Sequence, residues 1–265
     1  MRLDPYLERI GYAGDLRPTC AVLEALHLAH ATHIPFENLD ILAGRPIKLD
    51  LDSLEAKLVK ARRGGYCFEQ NLLFAAALEE IGFSVTRLAA RVKYRVSSLL
   101  PRTHMMLLVH VDGGTWIADV GFGSEGLLQP VPFGGGEESR QFAWTYRVVE
   151  SANAKGSNDP SRWVMQAFRE GTWLDLYEFT LEPQHQIDYE MANHFTSTHP
   201  DSRFRKMLTV QSMSTEARHA LRNRDFMIDR GADVSSRTLA DDAEIVRVLR
   251  ETFNLDVPPG IRFPQ

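Results

Sequence analysis

Three residues in this chain have the types and order of a nucleophilic set: Cys67, His104 and Asp119. The cysteine stands in Arg62-Arg63-Gly64-Gly65-Tyr66-Cys67-Phe68-Glu69-Gln70-Asn71, after a diglycine and before a run rich in leucine and alanine with no glycine or proline until Gly82. That run predicts a helix from Cys67 to about Ile81, with Gly82 just past its end. A thiol at a helix N-terminus faces unpaired N–H groups and the positive end of the macrodipole, and both favour thiolate. Moving a thiol pKa from about 8.5 to about 6 takes about 3.4 kcal/mol, of which a helix end supplies about 1 kcal/mol. A second, cationic partner is therefore required, most naturally a histidine.

His104 opens the apolar run His-Met-Met-Leu-Leu-Val, and Asp119 interrupts Trp116-Ile117-Ala118-Asp119-Val120. A carboxylate in an apolar strand is unfavourable unless it is bonded, so Asp119 needs a buried donor. Each residue then answers a need of another: the thiol needs a base, the histidine needs its tautomer fixed, and the carboxylate needs a partner. One tension concerns register. A hairpin turning at Gly113-Gly114 sets Asp119 opposite Leu108, four residues from His104 and roughly 13 Å along the strand. Contact requires a turn nearer Val111-Asp112, a bulge or a strongly bent sheet.

Two other patterns invite chemistry less strongly. Gly121-Phe122-Gly123-Ser124-Glu125-Gly126 matches a dinucleotide fingerprint in letters, but Pro130 and Pro132 follow where a helix is needed. It reads better as a close-approach loop beside Asp119, with Phe122 as an apolar wall. His27, His30 and His33 lack a carboxylate or cysteine at helical spacing to complete a metal set, so they read as solvated or capping histidines. Cys20 reads as a small core residue on a helix.

The elements that must position these groups fall into three parts. Residues 1–83 read as helical: one helix from Pro18-Thr19 to His33, a structural turn at Ile34 to Asp40, and a helix opened by an Asp52/Glu55 capping box and ending at Arg62-Arg63, before the Cys67 helix. Residues 84–187 change to a period of two, with strands near 84–94, 104–111, 115–122, 142–149, 163–168 and 172–179 and a polar loop over 151–161, which predicts an antiparallel barrel or strongly curled sheet. Residues 188–265 mix a helix from Asp188, a strand near 206–211 and a helix over 241–253. The fold class expected is α+β.

The chain has 265 residues, 25% charged and 44% hydrophobic, with a net charge of -5, the profile of an ordinary globular protein. No Lys/Arg block exceeds a pair, which points away from nucleic acid and anionic membranes as partners. With two cysteines, no apolar leader after Met1 and no apolar run of membrane length, a soluble cytoplasmic protein is expected.

The motifs around these residues resemble the arylamine N-acetyltransferases, in the bacterial form. The resemblance rests on the Arg62 to Asn71 stretch, Ile34-Pro35-Phe36-Glu37-Asn38-Leu39, Thr103-His104, Asp119-Val120-Gly121-Phe122-Gly123, the opening Tyr6 to Tyr12, and Asn193 to Pro200. It implies a helical bundle holding the cysteine, a β-barrel holding the histidine and aspartate, and an α/β lid, on a core related to cysteine proteases and transglutaminases. It also implies acetyl-CoA as acetyl donor, an arylamine or arylhydrazine as acceptor, and no metal. Cys67, His104 and Asp119 fall on the family's triad. Thr103, Gly126, Phe195, Ser197 and Ser202 are implied for CoA, and Val92 joins Phe122 for the acceptor. A ping-pong acyl transfer through acetyl-Cys67 follows, with the Cys67 backbone N–H meeting the oxyanion. The rival readings are a cysteine hydrolase or transglutaminase of related fold, an amide synthase within the family, and a non-catalytic binding module.

Overall fold

The computed structural model describes residues 1–96, 98–123, 125–151 and 161–264. The polar segment over 151–161 lies almost wholly outside the described residues.

Helix α1 covers Leu3–Ile10 and α2 covers Cys20–His33. Thr19 caps α2 through Oγ1, which accepts from Val22 N–H, and Pro35 lies just beyond its end. Cys20 is half-buried rather than a core residue, and its N–H is taken by the Asp112 carboxylate at 2.7 Å. After α3, Leu39–Leu42, helix α4, Leu51–Leu54, continues through a π-helical stretch, Glu55–Lys60. Its cap is Asp50, whose Oδ1 accepts from Ser53 N–H, so the helix starts earlier than the Asp52/Glu55 spacing predicts. Helix α5 covers Cys67–Ile81 and ends at Gly82 in the left-handed region. Every residue from Cys67 to Leu78 is buried. A helix apolar on nearly all sides has to lie inside, and α5 packs among α1, α2 and strands of the barrel.

Among the described residues, eight antiparallel strands form the larger sheet. In chain order they are β2 Ser84–Val92, β3 His104–Val111, β4 Gly114–Ala118, β5 Val131–Pro132, β6 Ser139–Gln141, β7 Trp144–Glu150, β8 Trp163–Arg169 and β9 Thr172–Phe179. Their order across the sheet is β5-β4-β3-β2-β9-β8-β7-β6, and the sheet curls until β5 lies beside β7, a nearly closed barrel. Gln141 fastens the seam: its Oε1 accepts from the N–H groups of Leu128 and Gln129, and its Nε2 donates to Gln129 O. The short strands β5 and β6 escape a period-two reading because two or three residues carry no period.

The second sheet runs β1-β10-β11-β12-β13, with β1 Phe36–Glu37, β10 Thr209–Met213, β11 Arg218–Arg222, β12 Asp225–Asp229 and β13 Val234–Thr238. Helix α6, Gln186–Thr198, leads to α7, Arg203–Lys206, and α8, Asp242–Phe253, packs a separate apolar cluster on this sheet. The Ile34 to Asp40 segment is therefore more than a turn. Phe36 and Glu37 pair with Gln211 and Val210, and Asn38 ties in the C-terminal third by donating to Phe204 O and Met207 O and accepting from Thr209 N–H. Among the described residues no helix is long and apolar enough to cross a membrane.

The β3-β4 hairpin settles the register. Its turn is Asp112-Gly113, both with positive φ (52° and 74°), between the paired residues Val111 and Gly114. An Asp-Gly pair suits this left-handed turn. The ladder pairs Leu107 with Ala118, so continuing it would bring Asp119 level with Met106. That is two residues from His104 and on the same face, within diagonal reach across a sheet.

Candidate active site

Cys67 enters the site on the first turn of α5, and the backbone before it is held from several sides. Gly65 N–H donates to Pro35 O, Glu37 N–H to Gly65 O, and the Gln70 side chain to Gly65 O. A Cβ on Gly64 would stand 2.1 Å from Pro35 O, so only glycine fits there. Glu69 accepts from Tyr66 N–H through Oε2 and from Lys57 Nζ through Oε1 at 2.7 Å. Lys57 also reaches Asp40 at 2.9 Å, and Arg63 pairs with Glu37 at 2.6 Å. Burial opposes the charge on Lys57, but Glu69, Glu37 and Asp40 outweigh it and raise its pKa. This charged cluster lies directly behind the loop that leads into Cys67.

His104 opens β3 and is buried, with Nε2 2.7 Å from Asp119 Oδ2. Its ring packs against those of Phe122 and Tyr177, at centroid distances of 5.1 and 4.8 Å. With Nε2 engaged by Asp119, Nδ1 is the ring nitrogen left for another partner. Burial alone would lower the His104 pKa, yet the charge and hydrogen bond of Asp119, reinforced by Cys67, push it up to about 10. The Cys67 Sγ lies 3.6 Å from Thr103 O, at the start of the same strand.

Asp119 is fully buried and fully bonded. Oδ2 faces His104, while Oδ1 accepts from Asn71 Nδ2 at 3.0 Å and from Gly121 N–H at 3.0 Å. Burial would raise its pKa, but the His104 charge and these hydrogen bonds together lower it. Its own N–H donates to His27 Nε2 at 3.1 Å, and His27 Nδ1 lies 3.1 Å from Leu128 O. Asn71 stands one turn along α5 from Cys67 and also bonds Met105 O and Val120 N–H. It thereby joins α5 to the backbone of both barrel segments.

His27 and His30 are fully buried, so neither is solvated nor free to cap a helix. His30 Nδ1 pairs with Tyr6 OH at 2.9 Å. Burial lowers the pKa of His27 to about 4 and that of His30 to about 3. Only His33 matches the expectation, with Nδ1 on Ala29 O in the last turn of α2. Gly121 also lets two backbones meet: a Cβ there would stand 2.7 Å from Cys67 Cα and 2.8 Å from Asn71 Nδ2.

A cavity of about 190 Å³ opens on Cys67 and His104, walled by Phe36, Val92, Leu100, Phe122 and Phe204. Of the residues implied for CoA, Thr103, Phe195 and Ser202 line it. Gly126 and Ser197 lie outside the lining: Gly126 O accepts from Tyr146 OH and Arg218, and Ser197 Oγ donates to Asn193 O. No described group accepts the Cys67 N–H, which remains available at the N-terminus of α5. Sequence reasoning missed Asn71 and His27. Asn71 lies inside the Arg62 to Asn71 stretch, one helical turn from Cys67, whereas nothing local marks His27.

A family model described as N-acetyltransferase matches residues 19–261. The arylamine N-acetyltransferase of Escherichia coli K12 is 39% identical over 258 residues, covering 96% of this chain and 89% of its own. The crystal structure of Nocardia farcinica arylamine N-acetyltransferase superposes with a TM-score of 0.91 at 40% identity, covering 97% of this chain and 90% of that one. The Mycobacterium marinum arylamine N-acetyltransferase, solved in complex with CoA, superposes with a TM-score of 0.88 at 35% identity, covering 95% and 92%.

Proposed function

The chain belongs to the arylamine N-acetyltransferase family, and from that premise we propose that it transfers acetyl from acetyl-CoA to arylamines and arylhydrazines through an acetyl-Cys67 intermediate. The observation that carries this reading is that Cys67 and His104 open on one largely apolar cavity, with Asp119 bonded to His104 behind it.

Each residue has a role set by its surroundings. Asp119 keeps Nε2–H of His104 pointed at itself, which leaves Nδ1 to exchange a proton with Cys67. Protonated His104 and the Cys67 thiolate form an ion pair in a site shielded from water, where their attraction is strong. The thiolate attacks the thioester carbonyl of acetyl-CoA, and the oxyanion meets the Cys67 N–H. The tetrahedral adduct collapses as the CoA sulfur leaves with the proton from His104. One thioester has replaced another, so the step is nearly isoenergetic and the acetyl-enzyme can accumulate.

The acceptor then enters the space CoA has left. Aromatic amines are largely unprotonated at neutral pH, so the nitrogen attacks acetyl-Cys67 directly. His104 takes the proton lost as the second adduct collapses, and the thiolate is regenerated. Val92 and Phe122 hold the ring. Thr103, Phe195 and Ser202 contact the CoA arm from the lining, with Gly126 and Ser197 acting from outside it. The parts 1–83, 84–187 and 188–265 serve as nucleophile bundle, barrel and lid in this account. The test is N-acetylation of a simple arylamine with acetyl-CoA over a matrix of both concentrations. Parallel double-reciprocal lines are expected; intersecting lines would require both substrates bound together.

A further inference from the structure

Strand β10 brings two polar side chains to the cavity that exposes Cys67: Thr209 and Gln211, both lining it and spaced to share one face of the strand. They are 1% and 4% exposed, yet neither Thr209 Oγ1 nor Gln211 Oε1 has a hydrogen-bond partner among the described residues. A buried polar atom without a partner is unfavourable, and folded chains leave few of them. Here two stand in a row on the wall of one cavity. The backbone around them is by contrast well tied: Thr209 N–H donates to Asn38 Oδ1, and Gln211 pairs with Phe36, another lining residue. Gln211 also lies close to the reacting centre. A Cβ on Gly123 would stand 2.2 Å from its Oε1, and Gly123 belongs to the loop after Asp119 that meets Cys67 at Gly121.

Both groups are neutral, so the ligand group that suits them is neutral as well and offers both a donor and an acceptor. Gln211 Oε1 accepts a hydrogen bond, and the Thr209 hydroxyl can donate one. Residues two apart on a strand stand about 6.8 Å apart. A secondary amide bridges such a gap, because its N–H and C=O point in opposite directions. The acyl donor carries that group close to its sulfur. In an acetylated pantetheine thioester the first amide lies two carbons from the sulfur, and the sulfur has to reach Cys67 through this cavity. Entering a largely apolar space strips the amide of water, so it needs partners there.

Resting on the acetyl-transfer reading, we propose that Thr209 and Gln211 determine donor specificity by holding that first amide. Its N–H donates to Gln211 Oε1, and Thr209 Oγ1 donates to its carbonyl. The seat reads the arm rather than the nucleotide, so it selects thioesters that carry an amide two carbons from the sulfur over plain thioesters.

The test compares three short acetyl donors at a fixed concentration of 4-toluidine. S-acetyl-N-acetylcysteamine keeps the amide, S-(4-oxopentyl) thioacetate replaces its N–H by CH₂, and S-pentyl thioacetate lacks both polar groups. In Gln211→Leu the kcat/KM ratio of the amide donor to the ketone donor is expected to fall about tenfold, with the ketone-to-pentyl ratio kept. In Thr209→Val the ketone-to-pentyl ratio should fall by a similar factor. Because all donors are measured on one preparation, any misfolded fraction cancels in each ratio. Ratios unchanged in both variants would overturn the seat. So would unchanged donor ratios accompanied by a changed preference between 4-aminobenzamide and 4-toluidine, which would assign the pair to the acceptor. Use of acetyl-CoA but of none of the short donors by the unaltered chain would also overturn it, since the amide alone would then confer no recognition. Failure of the unaltered chain to acetylate 4-toluidine even from acetyl-CoA would remove the acetyl-transfer reading itself, a result separable from a changed ratio.

Discussion

His27 Nε2 accepts the backbone N–H of Asp119 at 3.1 Å, while its Nδ1 faces Leu128 O. A carbonyl can only accept and an N–H can only donate, so these partners fix His27 as the neutral Nδ1–H tautomer. Burial holds its pKa down to about 4. The unfolded chain binds a proton at about pH 6.5 that the folded chain refuses until about 4, so stability is lost as pH falls through that window. The loss is about 3 kcal/mol at its limit. His27→Gln should lower stability at pH 7 but flatten the slope of urea-unfolding free energy between pH 6.5 and 4. An unchanged slope would show that His27 is not the titrating group.

Asp119→Asn tests the tautomer argument. Asn71 and Gly121 both donate to Oδ1, so an asparagine keeps its oxygen there and turns its NH₂ towards His104. His104 Nε2 must then accept, Nδ1 carries the hydrogen, and the base facing Cys67 is lost. A drop in kcat/KM for acetyl-CoA of about 10³-fold or more is expected, with little change in unfolding midpoint. In the unaltered chain, His104 should hold its proton up to about pH 10, so kcat/KM falls above that pH. Its contribution to stability is complete below about pH 6.5 and disappears as pH rises through about 10. In Asp119→Asn that alkaline limb should move to lower pH.

Gly121→Ala should damage the site without touching a reacting group. The added methyl would stand 2.7 Å from Cys67 Cα, so α5 and the loop after Asp119 must separate. Overpacking of this kind costs about 1 to 3 kcal/mol. Activity should fall by at least an order of magnitude through kcat, because a near-attack geometry tolerates little displacement. Full activity would mean that the loop can shift freely from Cys67.

Much of this site was legible before any coordinates, for reasons that can be named. The Cys67 helix was marked by its diglycine and by a long run of helix formers, and β3 by an apolar run ending in a turn. Asp119 stood out because a carboxylate in an apolar strand demands a partner. A turn at Gly113-Gly114 sets the register two residues away from where the hairpin has it, because Asp112-Gly113 and Gly113-Gly114 are both good turn pairs and only the folded ladder distinguishes them. The pairing of β1 with β10 was invisible for a different reason: two residues meet a strand more than 170 positions away, and no local period records it.

The charged cluster behind Cys67 was equally hidden, since Glu37, Asp40, Lys57 and Glu69 are brought together only by the fold. Lys57→Met leaves Glu69 and Asp40 without their shared cation and should destabilise the protein by about 3 kcal/mol in urea unfolding. Adding Glu69→Gln, which removes the stranded charge, should restore part of that loss. A double variant as weak as the sum of the single changes would show that the two residues are not coupled.

The central claim is that Cys67 carries the acetyl group. The direct measurement is intact mass after mixing the protein with acetyl-CoA in the absence of an acceptor, followed by acid quenching and peptide mapping. One added acetyl on the Cys67 peptide is expected, absent in Cys67→Ala and discharged when an arylamine is added. An unmodified protein that nevertheless acetylates the amine, or an adduct that persists in Cys67→Ala, would contradict it.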